Sequence, residues 1–107
     1  KDMIVSGGLN IYSREVEDAL ETHNAVNEAA VVPVPDPKFG ESVFAFVTFA
    51  PGQSASETEL IEHCRSQIAS YKKPSFIKRV DALPRNSTGK VVKISLRKQA
   101  AEEILKS

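Results

Sequence analysis

The stretch VFAFVTF, residues 43–49, decides the fold of this chain of 107 residues. Its β-branched and aromatic residues favour a β-strand. Because side chains alternate along a strand, Val43 and Val47 fall on one face while Phe44 and Phe46 fall on the other. Both faces are therefore apolar, as in strands that are buried on both sides. The segment predicts a central strand with one layer of structure on each side of the sheet.

Short elements separated by turn residues extend outward from this strand in both directions. In chain order the pattern predicts a hairpin over residues 3–11 that turns at two glycines, a helix over residues 13–22 with Ser13 as N-cap, a strand over residues 29–34, the central strand, a helix from the Ser56 capping box to about Ala69, a strand over residues 76–80, a loop or loose hairpin over residues 83–92, and a helix from Lys93. Pro33 and Pro35 indicate that the strand over residues 29–34 lies at an edge or ends early. The order predicts an α+β domain: a small, mainly antiparallel sheet of about three strands with helices packed on it, plus the N-terminal hairpin.

Composition places the chain among small globular domains, with 41% hydrophobic and 26% charged residues. No apolar run approaches the ~20 residues that a membrane helix needs. The single cysteine, Cys64, excludes an internal disulfide framework and a Cys-rich zinc site. His63 and Cys64 are adjacent on a predicted helix and point to different sides, and His23 is expected at the surface, so no metal site is predicted.

Charge is distributed unevenly, although the formal net charge is zero. Residues 1–64 contain three basic and eleven acidic residues, a net charge of −8, whereas residues 65–107 contain eleven basic and three acidic residues, a net charge of +8. Such an asymmetry indicates an anionic partner for the second half. The alternative is that the two halves pair with each other across the fold.

The segment PRNSTGKVVK, residues 84–93, is the strongest candidate for chemistry. Its Gly-Lys pair invites comparison with a phosphate-binding P-loop, but that motif requires a glycine where Pro84 stands and a serine or threonine where Val91 stands. What remains is Lys90 on a glycine-bearing loop among other cations. Two interpretations are open: a solvated surface loop, or a lysine that delivers a compact positive charge to an anion.

The same segment resembles the C-terminal signature of the acyl-adenylate-forming superfamily, which in acyl-CoA synthetases usually has the form Pro-x-Asn-x-x-Gly-Lys-x-x-Lys. Three further stretches resemble this superfamily in order and spacing: KDMIVSGGLNIY at residues 1–12 followed by EVE at residues 15–17, EAAVV with the following Pro-Asp and Gly-Glu pairs at residues 28–41, and YKKP at residues 71–74. The resemblance covers essentially the whole chain and is strongest to fatty-acid or related acyl-CoA synthetases. One departure is Ser13, where these enzymes most often have proline.

The resemblance implies that residues 1–107 form one domain, the mobile C-terminal domain of a larger ligase, with its hinge at Lys1; a first residue other than methionine fits this expectation. In that family the full enzyme activates a carboxylic acid, here expected to be a fatty acid, with ATP and transfers the acyl group to CoA. Lys90 matches the lysine that enters the active site during adenylation. The loop that lines the pantetheine tunnel in the second half-reaction is matched by Ser6, Gly7 and Gly8.

Further contacts and partners also follow from the resemblance. Phe39, Tyr71, Lys72 and Lys73 match positions that in some relatives contact the CoA nucleotide, since an aromatic ring can stack on adenine and lysines can meet phosphates. For Phe39 and Tyr71, core packing is the alternative. ATP and CoA are the expected substrates, and Mg²⁺ accompanies ATP. The expected partner is the N-terminal adenylation domain of the same protein, which would hold the ATP site, the acyl pocket and most of the Mg²⁺ contacts.

A second hypothesis comes from a different functional class, a freestanding α+β module whose basic half binds nucleic acid. Tyr71 and Phe76 lie among lysines, but they form no recognised RNA-binding string. The ligase hypothesis predicts no nucleic-acid partner, no membrane span and a cytoplasmic location. It leaves the small carboxylic acid unidentified, because the acyl pocket would belong to the other domain.

Overall fold

The computed structural model describes residues 2–106 and confirms the predicted α+β class, with an N-terminal hairpin and a three-stranded sheet. The elements in chain order are β1 (Met3–Ser6), β2 (Leu9–Tyr12), α1 (Ser13–Glu21), β3 (Val26–Asp36), β4 (Gly40–Phe49), α2 (Glu57–Gln67), a 3₁₀ turn (Ser70–Lys72), β5 (Phe76–Arg79) and α3 (Lys93–Lys106). The proposed hinge, Lys1, lies outside the described residues.

Strand β4 occupies the centre of the sheet, as its two apolar faces predicted. It pairs antiparallel with β3 and parallel with β5, so that Phe44 lies opposite Phe76. One face, with Val43 and Val47, packs against the β1–β2 hairpin, α1 and α2. The opposite face, with Phe44 and Phe46, packs against α3. The sheet therefore has a layer on each side. The layer of the β1–β2 hairpin contains the Gly7–Gly8 turn, and the signature segment, residues 84–93, leads into α3 in the opposite layer.

Strand β3 is an edge strand, and its outer edge offers few free donors. Alternate N–H groups of a strand point to the same edge. Of those pointing away from β4, Ala29 N–H donates to Glu21 Oε2 at 3.0 Å and Val31 N–H donates to Glu17 Oε2 at 2.9 Å. The next two positions on this edge, 33 and 35, are prolines, which have no N–H. Glutamates of α1 and two prolines thus protect the edge from pairing with another chain.

Two local predictions need correction. The prolines do not end β3 early, because they stand on its unpaired edge and the strand continues to Asp36. Ser13 is not the N-cap of α1; that position is Tyr12, without a side-chain cap. Instead, Ser13 is buried, its Oγ has no hydrogen-bond partner within the described chain, and its N–H donates to the Asp2 carbonyl at 3.0 Å. The predicted Ser56 cap is confirmed, since its side chain accepts from the Glu59 N–H at 3.1 Å.

Oppositely charged residues of the two halves pair across the fold, as the alternative to an anionic partner predicted. Ion pairs of this kind join Lys72 to Glu15, Arg85 to Glu28, and Lys93 to both Asp2 and Glu17. These three cations would each have to leave an acidic partner before binding another anion. Within residues 2–106, no helix is long and apolar enough to cross a bilayer, and no group of His, Cys, Asp and Glu side chains is arranged to hold a metal ion.

Candidate functional site

Asn86 fixes the conformation of the loop within the signature segment, residues 84–93. Its side-chain Oδ1 accepts from the N–H of Thr88 and from the N–H of Lys90, each at 3.0 Å. Gly89 turns the chain with a φ of +87°, which a glycine adopts without strain. An asparagine that accepts from nearby backbone groups in this way stabilises a turn without a sheet ladder. The loop is exposed, yet its backbone is held in one shape.

Arg85 attaches this loop to the sheet. Arg85 and Val91 form an isolated antiparallel bridge, which confirms the predicted loose hairpin. The Arg85 guanidinium donates to the Gly89 carbonyl at 2.8 Å and also pairs with Glu28 on β3. One side chain thus holds both the tip of the loop and the edge of the sheet.

Lys90 is exposed and borders an open cleft of about 920 Å³. The charged residues that line the cleft are Asp2, Arg14, Glu17, Glu21, Glu28, Arg85, Lys90 and Lys93. Each of the other three cations forms an ion pair, whereas no partner of the Lys90 ammonium lies among residues 2–106. Lys90 can therefore approach an anion without first breaking a contact. An exposed lysine without a partner in the described chain is compatible with both interpretations of this loop, the solvated surface loop and the anion-handling lysine.

Lys93, the last residue of the signature, joins the start of α3 to the other end of the chain. Its Nζ lies 2.9 Å from Asp2 Oδ2 and 2.6 Å from Glu17 Oε2. Glu17 is only 8% exposed, and the same Oε2 accepts the Val31 N–H. The hydrogen bond from Lys93 holds the pKa of Asp2 below its usual value. The first described residue is thereby fixed to the body of the domain.

Replacing Lys93 with methionine should lower the free energy of unfolding by about 1–3 kcal/mol, because the nearly buried Glu17 carboxylate loses its cation. Urea unfolding of this chain, followed by circular dichroism, measures the change. Lys98→Met is the matched control, since Lys98 is an exposed lysine of α3 with no ion pair inside the described range. Equal stability of the two variants would show that the Lys93 contacts contribute nothing.

The two-residue turn between β1 and β2 consists of Gly7 and Gly8, with φ values of +57° and +81°. Two positive φ values in succession are the geometry of a type I′ hairpin turn, which explains why glycines stand there. A Cβ added to Gly7 would lie 3.3 Å from Cδ1 of Phe39, whereas one added to Gly8 meets no described atom within 4 Å. One side of the turn is therefore in contact with the domain and the other is open.

Phe39 and Tyr71 are surface residues, each 47% exposed, so the core-packing alternative is wrong for both. A lysine accompanies each ring: the Nζ of Lys38 lies 5.2 Å from the Phe39 centroid, and that of Lys72 lies 5.6 Å from the Tyr71 centroid. An exposed ring beside an ammonium group offers both a stacking face and a positive charge.

The two lysines after Tyr71 differ in availability. Lys72 Nζ lies 2.8 Å from Glu15 Oε1, and this hydrogen bond raises the pKa of Lys72. Within residues 2–106, Lys73 Nζ donates only to the carbonyl of Ser70, at 3.2 Å. Lys73 is therefore the freer cation for an incoming phosphate, while Lys72 would first have to leave Glu15.

The candidate residues form two groups, at opposite ends of the β1–β2 hairpin. The open end, at Asp2 and Tyr12, borders the cleft of Lys90. The turn, at Gly7 and Gly8, lies at the other end of β1, five residues from Asp2 and roughly 16 Å along the chain at about 3.3 Å per residue. Phe39 belongs to the turn end, where its carbonyl accepts the Gly7 N–H at 2.8 Å. The segment 71–73 is linked to both regions: two residues later Ser75 N–H donates to the Val43 carbonyl near the start of β4, and Lys72 Nζ lies 2.8 Å from Glu15 Oε1 in the first turn of α1.

Sequence reasoning missed the residues that support these loops, namely Asn86, Glu17 and Glu41. All three belong to stretches that resemble the superfamily, but a motif does not show whether a residue contacts a substrate or a backbone N–H. Glu17 stands four residues after Ser13 and three before Leu20, on the buried stripe of α1. An acidic residue on the apolar face of an amphipathic helix was the available signal that the Glu17 carboxylate is buried and needs a partner.

Known proteins share both the sequence and the fold. The family described as AMP-binding enzyme C-terminal domain matches residues 15–90. A long-chain-fatty-acid–CoA ligase of Mycobacterium tuberculosis is 40% identical over 106 residues, which cover 99% of this chain and 21% of the ligase. A peroxisomal trans-cinnamate:CoA ligase of Petunia hybrida is 42% identical over 100 residues, covering 94% and 18%. The crystal structure of an acyl-CoA synthetase of Brucella canis superposes with a TM-score of 0.89 at 42% identity, over 96% of this chain and 20% of that one.

The chain thus spans about a fifth of the length of the relatives it matches. The family match runs from α1 to Lys90, so it includes the Phe39 turn, the segment 71–73 and the free cation of the cleft. The relatives are CoA ligases, and the structural neighbour shares nearly the whole described fold. With the fold, the family match and the identities in agreement, the chain belongs to the family of AMP-binding enzyme C-terminal domains.

Proposed function

We propose that this chain acts as the mobile C-terminal domain of an ATP-dependent acyl-CoA synthetase. The full enzyme joins a carboxylic acid, a fatty acid in this proposal, to CoA through an acyl-adenylate, while ATP becomes AMP and pyrophosphate. The observation that carries the proposal is Lys90, a cation without a partner in residues 2–106, held by Asn86 on a loop at the signature position. The names of the relatives support CoA ligation and differ in the acid, which agrees with an acyl pocket outside this domain.

In the first half-reaction, Lys90 stabilises charge. The acid's carboxylate attacks the α-phosphorus of ATP and pyrophosphate leaves, so negative charge accumulates around that phosphorus. A preorganised ammonium beside it lowers the barrier, because it is already oriented when the charge develops. Asn86 and Arg85 supply that preorganisation by fixing the backbone of the loop.

In the second half-reaction, the turn of Gly7 and Gly8 lines the pantetheine tunnel together with Ser6. The CoA thiol attacks the acyl carbonyl, and AMP leaves with the electrons of the broken acyl–phosphate bond. The open side of Gly8 supports this role, because without a Cβ the backbone can approach a ligand closely. Phe39 and Lys73 are the proposed contacts of the CoA nucleotide.

Tyr71 and Lys72 complete that proposed nucleotide surface. Lys72 would join it after its ion pair with Glu15 is broken.

Rotation between the half-reactions is required in this proposal, because the Lys90 end and the glycine end of one hairpin cannot both face a single site. We place the pivot at Lys1, in agreement with the anchoring of Asp2 by Lys93. The N-terminal adenylation domain is the proposed partner and holds Mg²⁺ with ATP. A cytoplasmic location is part of the same proposal.

The isolated chain should fold and catalyse nothing. Its two apolar clusters on either side of the sheet are complete, whereas the proposed ATP site lies in another domain. A cooperative thermal melt followed by far-UV circular dichroism tests folding. ATP–pyrophosphate exchange with a panel of fatty and aromatic acids tests activity, with the full-length enzyme as the positive control. Exchange by this chain alone would contradict the proposed division between two domains.

A further inference from the structure

The segment that begins β4 holds the glycine turn from the side. Gly7 N–H donates to the Phe39 carbonyl at 2.8 Å, and Val5 N–H donates to the Glu41 carboxylate at 2.9 Å. Both donors point away from β2, because alternate N–H groups of a strand share an edge. Residues 39–41 therefore lie beside β1 where a third strand of the hairpin would lie. One acceptor is the backbone carbonyl of Phe39, and the other is the side chain of Glu41.

Asp36 builds the turn from which this contact is made. One oxygen of its carboxylate accepts the N–H groups of Lys38 and Phe39 at 2.8 and 2.9 Å, and the other accepts the Ser42 hydroxyl at 2.5 Å. These bonds, led by the one from Ser42, hold the pKa of Asp36 below its usual value. The turn is thus shaped by its own residues and presents the Phe39 carbonyl in a fixed place.

The glycine turn packs closely against the β3–β4 turn at Gly7. A Cβ at Gly7 would approach the Phe39 ring to 3.3 Å, and a Cβ at Gly40 would lie 4.0 Å from the Val5 carbonyl oxygen. The first of these contacts would be tight, so the absence of a side chain at Gly7 leaves room for the Phe39 ring, whereas the second would be an ordinary van der Waals contact. The glycine turn is therefore supported on the side of Gly7 and left open on the side of Gly8.

We propose that Asp36 and Glu41 are positioning residues for the acyl transfer to CoA. Glu41 holds β1 through the Val5 N–H, and Asp36 holds the Gly7 N–H through the Phe39 carbonyl, so together they set where the glycine turn stands against pantetheine. Neither carboxylate contacts the reacting atoms. The inference rests on the proposed function of the turn. It gives a physical reason for the Pro-Asp and Gly-Glu pairs at residues 35–36 and 40–41.

The test uses the full-length enzyme and separates the two half-reactions. Glu41→Ala should slow single-turnover transfer from purified acyl-adenylate to CoA on the order of 10²-fold, the effect of a displacement of about 1 Å. ATP–pyrophosphate exchange should match that of Glu62→Ala, a control at an exposed glutamate of α2 that pairs with Arg65 alone among the described residues. Glu41→Gln should restore transfer, because its amide oxygen still accepts the Val5 N–H. If Glu41→Ala does not fold, Asp36→Ala should show the same split.

Several outcomes would overturn the inference: transfer at the control rate in both alanine variants, an equal loss of transfer and exchange, or a failure of Glu41→Gln to restore transfer. Gly8→Leu, measured in parallel, distinguishes this inference from the proposal beneath it. Normal transfer by Gly8→Leu would remove the proposed role of the turn itself. If Gly8→Leu slowed acyl transfer while the Glu41 and Asp36 variants transferred normally, only the proposed positioning role of Asp36 and Glu41 would be wrong. The proposed role of the glycine turn would stand.

Discussion

Lys90→Ala in the full-length enzyme should lower the rate of acyl-adenylate formation on the order of 10²–10³-fold, the usual loss when one preorganised charge-stabilising group is removed. The Lys90 ammonium is exposed and has no partner among the described residues, so its removal leaves no buried acid uncompensated. The loop should keep its shape, because Asn86 accepts from the backbone N–H of residue 90 and not from its side chain. The loss should therefore be catalytic, with the free energy of unfolding unchanged.

Acyl transfer from supplied acyl-adenylate to CoA should stay near its wild-type rate in the same variant, because the proposed rotation turns Lys90 away from the site in that step. Single-turnover kinetics of each half-reaction make the comparison. Lys98→Ala is the control, since Lys98 is also an exposed lysine, on α3 and outside the signature segment. If Lys90→Ala slowed both half-reactions equally, the assignment of the two hairpin ends to different steps would be wrong.

The central strand could be predicted because its signal is local. Phe44 and Phe46 alternate with Val43 and Val47, and no fold buries both sets unless layers cover both faces of the sheet. The edge position of β3 was also predictable, because proline cannot donate to a neighbouring strand. The extent of β3 was not predictable, since a proline on the outer edge costs no ladder hydrogen bond and the strand simply continues to Asp36.

Contacts distant in sequence explain what could not be predicted about the site. The sequence alone does not distinguish Lys72 from Lys73, because they are adjacent residues of the same type. Only the fold brings Glu15, 57 residues away in sequence, to Lys72. Glu41 lies 36 residues from Val5, so its bond to the hairpin has no local signature. Lys90, by contrast, needs no distant partner, and its position on a glycine-bearing loop predicted both its exposure and its freedom.

Gly8→Leu should produce the reverse of the Lys90 result, with acyl transfer to CoA slowed on the order of 10²-fold while ATP–pyrophosphate exchange continues. A Cβ at Gly8 points into space that the described chain leaves empty, so the leucine side chain would project outward from the turn, where pantetheine is proposed to pass. The variant also places a side chain at a φ of +81°, which costs about 1–2 kcal/mol of backbone strain. That strain alone could lower stability, so the loss of transfer needs a control with the same strain elsewhere.

Gly52→Leu provides this control. Gly52 has a φ of +74° and also has open space where a Cβ would be, but it lies in the turn after β4, at the other end of that strand from Phe39. The two leucine variants should therefore lose similar free energy of unfolding, while only Gly8→Leu loses acyl transfer. The measurements are single-turnover transfer from purified acyl-adenylate over a range of CoA concentrations, and a urea titration of each variant. Equal transfer rates at equal stability would show that the glycine turn serves the hairpin alone, and the pantetheine path would have to be sought on another surface of the domain.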